Sequence, residues 1–492
     1  MLLSELLRRC GVTSPYTDLR INDVSTDSRD IGTGDLFIAL AGEKHDGNDY
    51  INEALKKGAS AVVSDNISDR SRCIKVTDAN VAASYIFSNF YCRPTDSMTF
   101  TAITGTNGKS STVAALSHIL SNAGKRVGAL GTVEFSVNGC EIDKEEFFGI
   151  SSSMTTPGVK DFFRALALMR NRGCDFAVAE ASSHALAAKR FDGAKIDLGI
   201  FTNLTPEHLD RHGDMETYFK AKERLADLSA RFLVNSDDGY GRRILESKQG
   251  SVGFSAEASC GAMRNLFAVA ENIAVNDNGN EYDLRYDGGV VHISTEISGR
   301  FALYNTLCAA AAALLLGIPG DIVSGSLAGF SGVKGRMERI VRKEGLPSVI
   351  IDYAHTPDAI EKALIEAGRF CRGKLIVVFG CGGDRDREKR APMCRAACTL
   401  ADLAIITGDN PRDEDPDRII SDILKGAVGN NYIVERDRET ALKLAVERSC
   451  ENDVILCCGK GHENYIIDKC GKRPFDEKRI LLSAVTDKFG AI

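Results

Sequence analysis

A glycine-bearing turn that carries a lysine offers the first clear chemistry in the sequence. Gly105-Thr-Asn-Gly-Lys-Ser110 lies between a β-rich run, 98–104, and a helical stretch. Backbone N–H groups of such a turn suit phosphate oxygens, Lys109 adds a point charge, and the Ser110 hydroxyl can ligate Mg²⁺. Ile103 stands where the general phosphate-loop pattern has its first glycine. The strand–turn–helix context nevertheless favours a phosphate loop over a turn that only caps a helix.

Polar residues also follow the next two apolar runs, 175–179 and 197–202. Glu180 comes at the end of the first run. It is either a magnesium ligand opposite the phosphate loop or a solvated strand-end carboxylate. His208 lies in an acid- and histidine-rich segment after the second run, which is either a second metal or phosphate contact or a polar loop.

Two loops near the C-terminus carry groups suited to a zwitterion. They are Gly408-Asp-Asn-Pro-Arg412 and Gly459-Lys-Gly-His-Glu463. A guanidinium forks onto a carboxylate, whereas acids and amide oxygens accept from an ammonium. The pattern therefore predicts an amino-acid site. The segment 380–386 lacks the third glycine of a dinucleotide fingerprint, which excludes NAD.

The elements that must position these residues are those of an α/β protein. Near-continuous apolar runs at 374–379, 403–407 and 454–458 alternate with helical stretches, and each ends in a polar loop. Such runs are typical of parallel strands buried on both faces. A length of 492 residues predicts about three domains. We place them at 1–96, 97–333 and 334–492, with Pro94 marking a linker.

Composition excludes several classes of protein. The chain is 43% hydrophobic and 26% charged, which is globular rather than disordered. Its 61 basic and 68 acidic residues leave a net charge of −7, so we expect no nucleic-acid partner. Fifteen cysteines without a C-x-x-C spacing predict reduced thiols and a cytoplasmic location.

We expect no membrane insertion either. Residues 1–9 are interrupted by charges and predict an amphipathic helix rather than a signal peptide. The longest uncharged stretch, 301–320, holds only ten consecutive apolar residues, 307–316, whereas a bilayer requires ~20. This stretch predicts a buried helix that ends near Gly317 and Pro319.

The motifs together resemble one family. Gly105-Thr-Asn-Gly-Lys-Ser110 is similar to the ATP loop of the Mur ligases and folylpolyglutamate synthases. Further motifs, from about residue 24 to 478, come in the order found in the Mur ligases that add the third amino acid of the peptidoglycan peptide. They include Asp27-Ser-Arg29, Thr155-Thr-Pro157, Gly335-Arg-Met-Glu338, Asp352-Tyr-Ala-His-Thr-Pro357 and Asp409-Asn-Pro-Arg412.

The resemblance implies a three-domain Mur ligase. Its parts are a small α/β UDP-binding domain, a central parallel-sheet P-loop ATPase domain and a Rossmann-like C-terminal domain for the amino acid. The implied partners are UDP-MurNAc-L-Ala-D-Glu and meso-diaminopimelate, which are joined with ATP and two Mg²⁺ ions through an acyl-phosphate. We expect a monomer. The alternatives are the same reaction with L-lysine, a folylpolyglutamate-synthase-like ligase, and a non-catalytic scaffold.

The resemblance also implies roles for individual residues. Lys222 is a surface lysine on sequence pattern alone, but it falls on the lysine that the family carbamylates with CO₂. Ser110 and Glu180 correspond to ligands of the first Mg²⁺, and His208 and the Lys222 carbamate to those of the second. The catalytic set is Lys109, Glu180, His208 and Lys222. ATP contacts are Gly105, Thr106, Asn107, Gly108, Lys109, Ser110, Ser111, Asn305, Arg336 and Asp352. The UDP-MurNAc-peptide contacts are Ser28, Thr155, Thr156, Ser182 and Arg190, and the amino-acid contacts are Arg385, Asp409, Asn410, Arg412, Gly459 and Glu463.

Specificity follows from one of these positions. In the family, Asp-Asn-Pro-Arg accompanies meso-diaminopimelate, which differs from L-lysine by one distal carboxylate that Arg412 would bind. The chain departs from the family at four positions, with Ala188 for Gln, Ala302 for Asn, and Glu207 and Glu477 for Asp.

Overall fold

The structure, a computed structural model, is an α/β protein made of two compact units, Met1–Phe330 and Ser331–Ile492. It describes residues 1–42, 45–67, 72–149, 154–257, 265–276 and 278–490. The predicted boundary at 96/97 falls inside the first unit, and the division into three domains stays a prediction.

A small parallel sheet forms the beginning of the first unit. Its strands pair in chain order and bury the apolar side chains of both faces. The helix predicted for residues 1–9 is shorter, since it covers only Leu3–Leu6. The strands are β1 (Val24–Ser25), β2 (Leu36–Ile38), β3 (Ala61–Ser64) and β4 (Cys73–Lys75), and the helices are α1 (Leu3–Leu6), α2 (Ile51–Lys57) and α3 (Ala79–Phe90).

A larger sheet carries the phosphate loop. Its strand order in the described chain is β15-β14-β13-β12-β11-β10-β5-β9-β6-β7-β8. β5 pairs in parallel with both β9 and β10, so their carboxyl ends share one edge of the sheet. The strands are β5 (Thr99–Thr104), β6 (Val127–Leu130), β7 (Phe135–Val137), β8 (Cys140–Glu141), β9 (Phe176–Glu180), β10 (Ile196–Phe201), β11 (Ser229–Asn235), β12 (Ser251–Ser255), β13 (Leu266–Asn276), β14 (Gly279–Tyr286) and β15 (Gly289–Thr295).

Helices pack against this sheet. The alanine-rich helix predicted near 301–320 is confirmed as a buried helix, and Gly317 follows its end with a φ of +85°. In the described ranges, no helix is long and apolar enough to cross a membrane. The helices are α4 (Lys109–Asn122), α5 (Lys144–Phe148), α6 (Val159–Asn171), α7 (Ser183–Ala187), α8 (Leu209–His212), α9 (Met215–Leu228), α10 (Gly239–Ser247), α11 (Arg300–Leu315) and α12 (Gly320–Ala328).

The second unit contains the predicted buried parallel sheet. Its order is β16-β17-β21-β18-β19-β20, and only the edge strand β16 runs antiparallel to its neighbour. Apolar clusters cover both faces, as the uninterrupted apolar runs predict. The strands are β16 (Glu338–Val341), β17 (Ser348–Asp352), β18 (Leu375–Phe379), β19 (Leu403–Ile406), β20 (Tyr432–Val434), β21 (Val454–Cys458), β22 (Tyr465–Asp468) and β23 (Gly471–Pro474). The helices are α13 (Pro357–Arg369), α14 (Arg390–Leu400), α15 (Pro416–Leu424), α16 (Arg438–Arg448) and α17 (Glu477–Phe489).

Candidate active site

The phosphate loop joins β5 to α4, where the sequence places it. Gly105 and Gly108 have φ values of +147° and +87°, a region that favours glycine. A Cβ on Gly105 would lie 1.9 Å from Thr202 Oγ1, and one on Gly108 would lie 2.3 Å from Asn305 Oδ1. Asn305 therefore packs directly against the loop. Asn107 donates its backbone N–H to Asn203 Oδ1 over 2.9 Å, which fixes the loop to the end of β10.

Two lysines converge on this loop. Lys109 Nζ donates to the carbonyl oxygens of Gly105 and Thr106, each over 2.9 Å. Lys222 Nζ donates to the same Gly105 oxygen over 2.7 Å and lies 4.8 Å from the centre of the Tyr218 ring. Burial, and then the charge of Lys109, lower the pKa of Lys222 well below 10.5, while Glu207 opposes them.

The sequence-pattern prediction of a surface lysine at 222 is wrong. The side chain of Lys222 is 1% exposed. It lies on α9 in the same stripe as the buried Tyr218, Phe219 and Leu225. Residues three and four positions apart share a helix face, so Lys222 enters the core with its apolar neighbours.

Glu180 is a buried carboxylate at the end of β9. Its Oε1 accepts from Ser110 Oγ over 2.8 Å and from the Thr132 N–H over 2.6 Å. Thr132 Oγ1 donates to Oε2 over 3.1 Å. Lys144 Nζ donates to the carbonyls of Gly131 and Thr132, and burial lowers the pKa of Lys144 to about 8.

These oxygen atoms fit Mg²⁺. Ser110 Oγ, Thr132 Oγ1 and the Glu180 carboxylate are hard donors next to the phosphate loop. The described ranges hold no group of three or more His, Cys, Asp or Glu residues that could form a protein-only metal cage. Mg²⁺ is commonly held by one or two carboxylates together with substrate phosphates, and this donor set suits that arrangement.

His208 lies near the rings of His184 and Tyr218. Its backbone is left-handed, with a φ of +56°, and its ring centre is 4.9 Å from that of His184 and 6.3 Å from that of Tyr218. Burial, followed by the charge of His208, lowers the pKa of His184 to about 4. The Glu207 carboxylate lies near His208, with Oε1 and Nε2 3.9 Å apart.

Most residues predicted to bind the UDP-MurNAc-peptide surround Glu180. Thr156 Oγ1 donates to the Glu180 carbonyl over 2.8 Å and accepts from the Ser182 N–H over 3.1 Å. Thr155 Oγ1 accepts from Thr132 Oγ1 over 3.1 Å. The largely buried Arg190 donates to the Thr156 carbonyl over 2.9 Å. Ser28 is different, since it lies near the first sheet, where its carbonyl accepts from Lys57 Nζ.

In the second unit, the loops that follow β19 and β21 meet. Asn410 Nδ2 donates to Glu463 Oε2 over 2.8 Å. Asn410 Oδ1 accepts from Lys460 Nζ and from the Ile467 N–H, each over 3.0 Å. The amide oxygen predicted to receive a ligand ammonium is therefore occupied by protein donors. The carboxylates at these loops are those of Asp409 and Glu463.

Other predicted amino-acid contacts surround the same loops. Arg412 has a φ of +51°, and its Nη1 donates to the Gly383 carbonyl over 2.8 Å. Gly459 has a φ of +110°, and a Cβ there would lie 2.6 Å from Asp409 Oδ2. Arg385 is exposed on the loop after β18. Three strand ends thus present acids and guanidinium groups at one sheet edge.

Asp352 and Arg336, predicted ATP contacts, are neighbours in the second unit. The carboxylate of Asp352 accepts from the N–H groups of Met337 and Ala354, over 2.7 and 2.8 Å. Burial raises the pKa of Asp352, and Arg336 opposes the shift. Arg336 itself lies over the Tyr353 ring, 4.8 Å from its centre.

Lys460 and Arg438 are among the buried cations that sequence reasoning missed. Lys460 is 0% exposed and Arg438 is 2% exposed. Arg438 donates to Glu477 Oε1 and to the carbonyls of Gly408 and Cys458, which directly precede the two amino-acid loops. Glu477, one of the departures from the family pattern, keeps this ion pair. Lys460 lies in the 459–463 motif, between two glycines that follow a buried strand. That position was the one sequence signal of its burial.

Family models match three parts of the chain. Residues 20–90 match the model described as Mur ligase family, catalytic domain. Residues 103–313 match the Mur ligase middle domain, and residues 335–461 match the Mur ligase, glutamate ligase domain.

Individual relatives match over nearly the whole length. The UDP-N-acetylmuramoyl-L-alanyl-D-glutamate–2,6-diaminopimelate ligase of Clostridioides difficile is 39% identical, with 98% of each chain covered. A ligase of the same name from Clostridium acetobutylicum is 37% identical, with 96% of each covered. A solved structure of a ligase with that name is 28% identical, with a TM-score of 0.68 and 95% of each chain covered. The MurF ligase of Thermotoga maritima in complex with ADP shares the fold, with a TM-score of 0.60 at 17% identity, covering 96% of this chain and 99% of that one.

Proposed function

The chain belongs to the Mur ligase family, and on that premise we propose that it joins meso-diaminopimelate to the D-glutamyl γ-carboxylate of UDP-MurNAc-L-Ala-D-Glu, with ATP, in peptidoglycan precursor synthesis. Relatives named for this reaction are 37% and 39% identical over nearly the full chain. The observation that carries the choice of amino acid is the cluster of side chains where the loops after β19 and β21 meet, which we call the pocket of the second unit. Arg412 there shares one sheet edge with Asp409 and Glu463.

The first step is phosphoryl transfer to the substrate carboxylate. The N–H groups of the 105–110 loop bind the phosphates of ATP, and Lys109 moves from the loop carbonyls onto the β- and γ-phosphates. One carboxylate oxygen of the substrate attacks the γ-phosphorus, and ADP leaves. The products are an acyl-phosphate and ADP.

Mg²⁺ would be held by Ser110 and Glu180, and a second ion by His208 and a carbamate on Lys222. When bound, these ions neutralise the negative charge that accumulates on the transferring phosphoryl group. Thr132 orients the Glu180 carboxylate through the two hydrogen bonds that it donates.

Carbamylation of Lys222 is supported by its surroundings. Only a neutral amine can attack CO₂, and burial favours the neutral form of Lys222 by lowering its pKa. The amine nitrogen bonds to the carbon of CO₂ and releases one proton. The resulting carbamate carries negative charge close to Lys109, whose ammonium it attracts.

The second step forms the amide bond. The amino group of diaminopimelate attacks the acyl-phosphate carbon, and the tetrahedral adduct expels phosphate. We propose that Asp409 and Glu463 bind an ammonium group of the diamino acid and that Arg412 binds its distal carboxylate. L-Lysine lacks that carboxylate and would leave Arg412 without its ligand, so it is rejected.

The test is phosphate release by the purified protein with ATP, Mg²⁺ and UDP-MurNAc-L-Ala-D-Glu, with meso-diaminopimelate or L-lysine, and mass analysis of the nucleotide product. We expect turnover with diaminopimelate only. Turnover with lysine alone would keep the ligase and contradict the specificity. Activity with a folate, or with neither amino acid, would contradict the proposal itself. A monomeric state and a cytoplasmic location stay predictions.

A further inference from the structure

The pocket in the second unit contains a cation that belongs to the protein. The ammonium of Lys460 is wholly buried. It donates to Asn410 Oδ1 over 3.0 Å and to the Tyr465 carbonyl over 2.7 Å. It also lies 3.4 Å from Asp409 Oδ1 and 3.5 Å from Glu463 Oε2. One ammonium thus contacts three of the side chains expected to recognise the diamino acid.

The contacts of Lys460 fix the orientation of those side chains. Because Lys460 and the Ile467 N–H both donate to Asn410 Oδ1, the Asn410 amide nitrogen must face the other way. It meets Glu463 Oε2 over 2.8 Å. Lys460 therefore positions Glu463 twice, by its own charge and through Asn410.

Charge balance gives a second reason for the lysine. Asp409 and Glu463 are both mostly buried and share Lys460 as their cation. Burial acts to raise the pKa of Asp409, but Lys460 and Arg438 outweigh it and the pKa lies below its ordinary value. Burial raises the pKa of Glu463, and Lys460 opposes that shift while Asp409 reinforces it. Without the lysine, two neighbouring acids would compete for a proton and one would lose its charge.

We propose that Lys460 is the positioning residue of the diamino-acid pocket, holding Asp409, Asn410 and Glu463 in the arrangement that receives the ligand ammonium. The inference rests on the proposed function for the identity of the ligand. Lys460 does not contact the reacting atoms. Its removal should weaken amino-acid binding and leave the phosphate loop and the UDP-substrate contacts of the first unit unchanged.

The test compares Lys460→Met with Lys443→Met, a matched control on α16 whose side chain is 58% exposed. We expect Lys460→Met to raise the KM for meso-diaminopimelate by ~30-fold, because hydrogen bonds to charged groups are lost together with the arrangement of the acids. The KM values for ATP and UDP-MurNAc-L-Ala-D-Glu should stay within about twofold. Lys443→Met should match the wild type in every constant.

Two kinetic results would overturn the proposal. One is an unchanged KM for the diamino acid in a folded Lys460→Met protein. The other is a parallel loss in all constants that follows a loss of folded protein. If Lys460→Met does not fold, Lys460→Gln, which keeps a donor without the charge, is measured in the same way. Failure of both variants to fold would assign Lys460 to stability alone and also overturn the proposal.

A crystal structure of the Lys460 variant separates this inference from the proposed function, since it needs no substrate. We expect the side chains of Asp409, Asn410 and Glu463 to move. Unmoved side chains would overturn the inference whatever amino acid the enzyme uses. If wild-type protein turned over another amino acid, the proposed specificity would fail, while the KM for that amino acid would still test Lys460.

Discussion

Two buried lysines in different units of this protein show how neighbours decide what one residue type does. Lys222 contacts a carbonyl and an aromatic ring and shares the carbonyl with a second cation, Lys109. Lys460 lies between two carboxylates and beside an amide oxygen. In the first environment burial lowers the pKa of the lysine and favours a neutral, nucleophilic amine, whereas in the second the lysine pairs with both carboxylates. Burial alone therefore predicts neither role.

The largest effect should come from Lys109, which donates to the same Gly105 carbonyl oxygen as Lys222. Lys109→Met removes the charge that meets the ATP phosphates, so phosphate release should fall by ~10³-fold. Lys125→Met, at an exposed lysine after the same helix, is the control and should keep wild-type turnover. Wild-type turnover by Lys109→Met would mean that the 105–110 loop is not the phosphate site.

The next effect concerns specificity in the pocket that Lys460 organises. Arg412→Met should lower kcat/KM for meso-diaminopimelate by ~10²-fold, because the distal carboxylate loses its charged partner. Activity with L-lysine should stay the same or rise. Competition assays measure the ratio of the kcat/KM values for the two amino acids. Arg418→Met, at an exposed arginine, is the control. Equal losses for both amino acids would show that Arg412 does not read the distal carboxylate.

The dependence of turnover on CO₂ tests the role proposed for Lys222, which Lys460 does not share. Removing bicarbonate should lower wild-type turnover by about tenfold, since the second metal site loses one charged ligand. Burial lowers the pKa of Lys222 and so favours the neutral amine, and acid protonates it, so the bicarbonate concentration needed for full turnover should rise as pH falls. Intact-protein mass spectrometry under native conditions should find one added CO₂ in the wild type and none in Lys222→Met. An added CO₂ in Lys222→Met would place the carbamate elsewhere.

The smallest effect should come from the ion pair between Arg438 and Glu477. Glu477→Asp restores the family residue but shortens the acid that Arg438 holds. Because Arg438 also binds the carbonyls that precede both amino-acid loops, we expect the KM for diaminopimelate to rise ~3-fold, the loss of part of one charged hydrogen bond. The KM for ATP should not change. A KM for diaminopimelate equal to the wild-type value would separate the ion pair from the pocket.

Much of the fold could be predicted from the sequence, because the signals are local. The strand β5, the glycine turn and the helix α4 follow one another within a short segment, and the buried runs of the second unit are apolar throughout. The helix at the N-terminus is shorter than its apolar pattern suggests. Leu3 and Leu6 already bury its apolar face, and the chain turns at Arg9 and Gly11, which have positive φ.

The two buried lysines show why the rest could not be predicted. Periodicity assigns a lysine to the surface, yet Lys222 occupies a core stripe because a carbonyl more than a hundred residues away accepts its hydrogen bond. Lys460 is buried because Asn410, fifty residues earlier, lies beside it. Such partners meet only after the sheets form. The family resemblance gave Lys222 a role, whereas Lys460 lay inside the 459–463 motif without one.

The most direct measurement of the central claim is the free energy of unfolding of Lys222→Met and Lys460→Met, in CO₂-free buffer at pH 7, from urea titrations followed by far-ultraviolet circular dichroism. Because burial lowers the pKa of Lys222, the folded state binds fewer protons at this lysine than the unfolded state does. Between the folded-state pKa and 10.5, the free energy of unfolding therefore decreases as the pH falls. Replacing Lys222 by methionine removes this cost, and the variant should be at least as stable as the wild type.

Replacing Lys460 instead removes the cation that pairs with both buried acids. Lys460→Met should therefore lower the free energy of unfolding by about 3 kcal/mol, the scale for breaking a buried ion pair. Opposite signs for the two variants are the result that our account predicts. A similar loss of stability in both, or a loss in Lys222→Met alone, would contradict it.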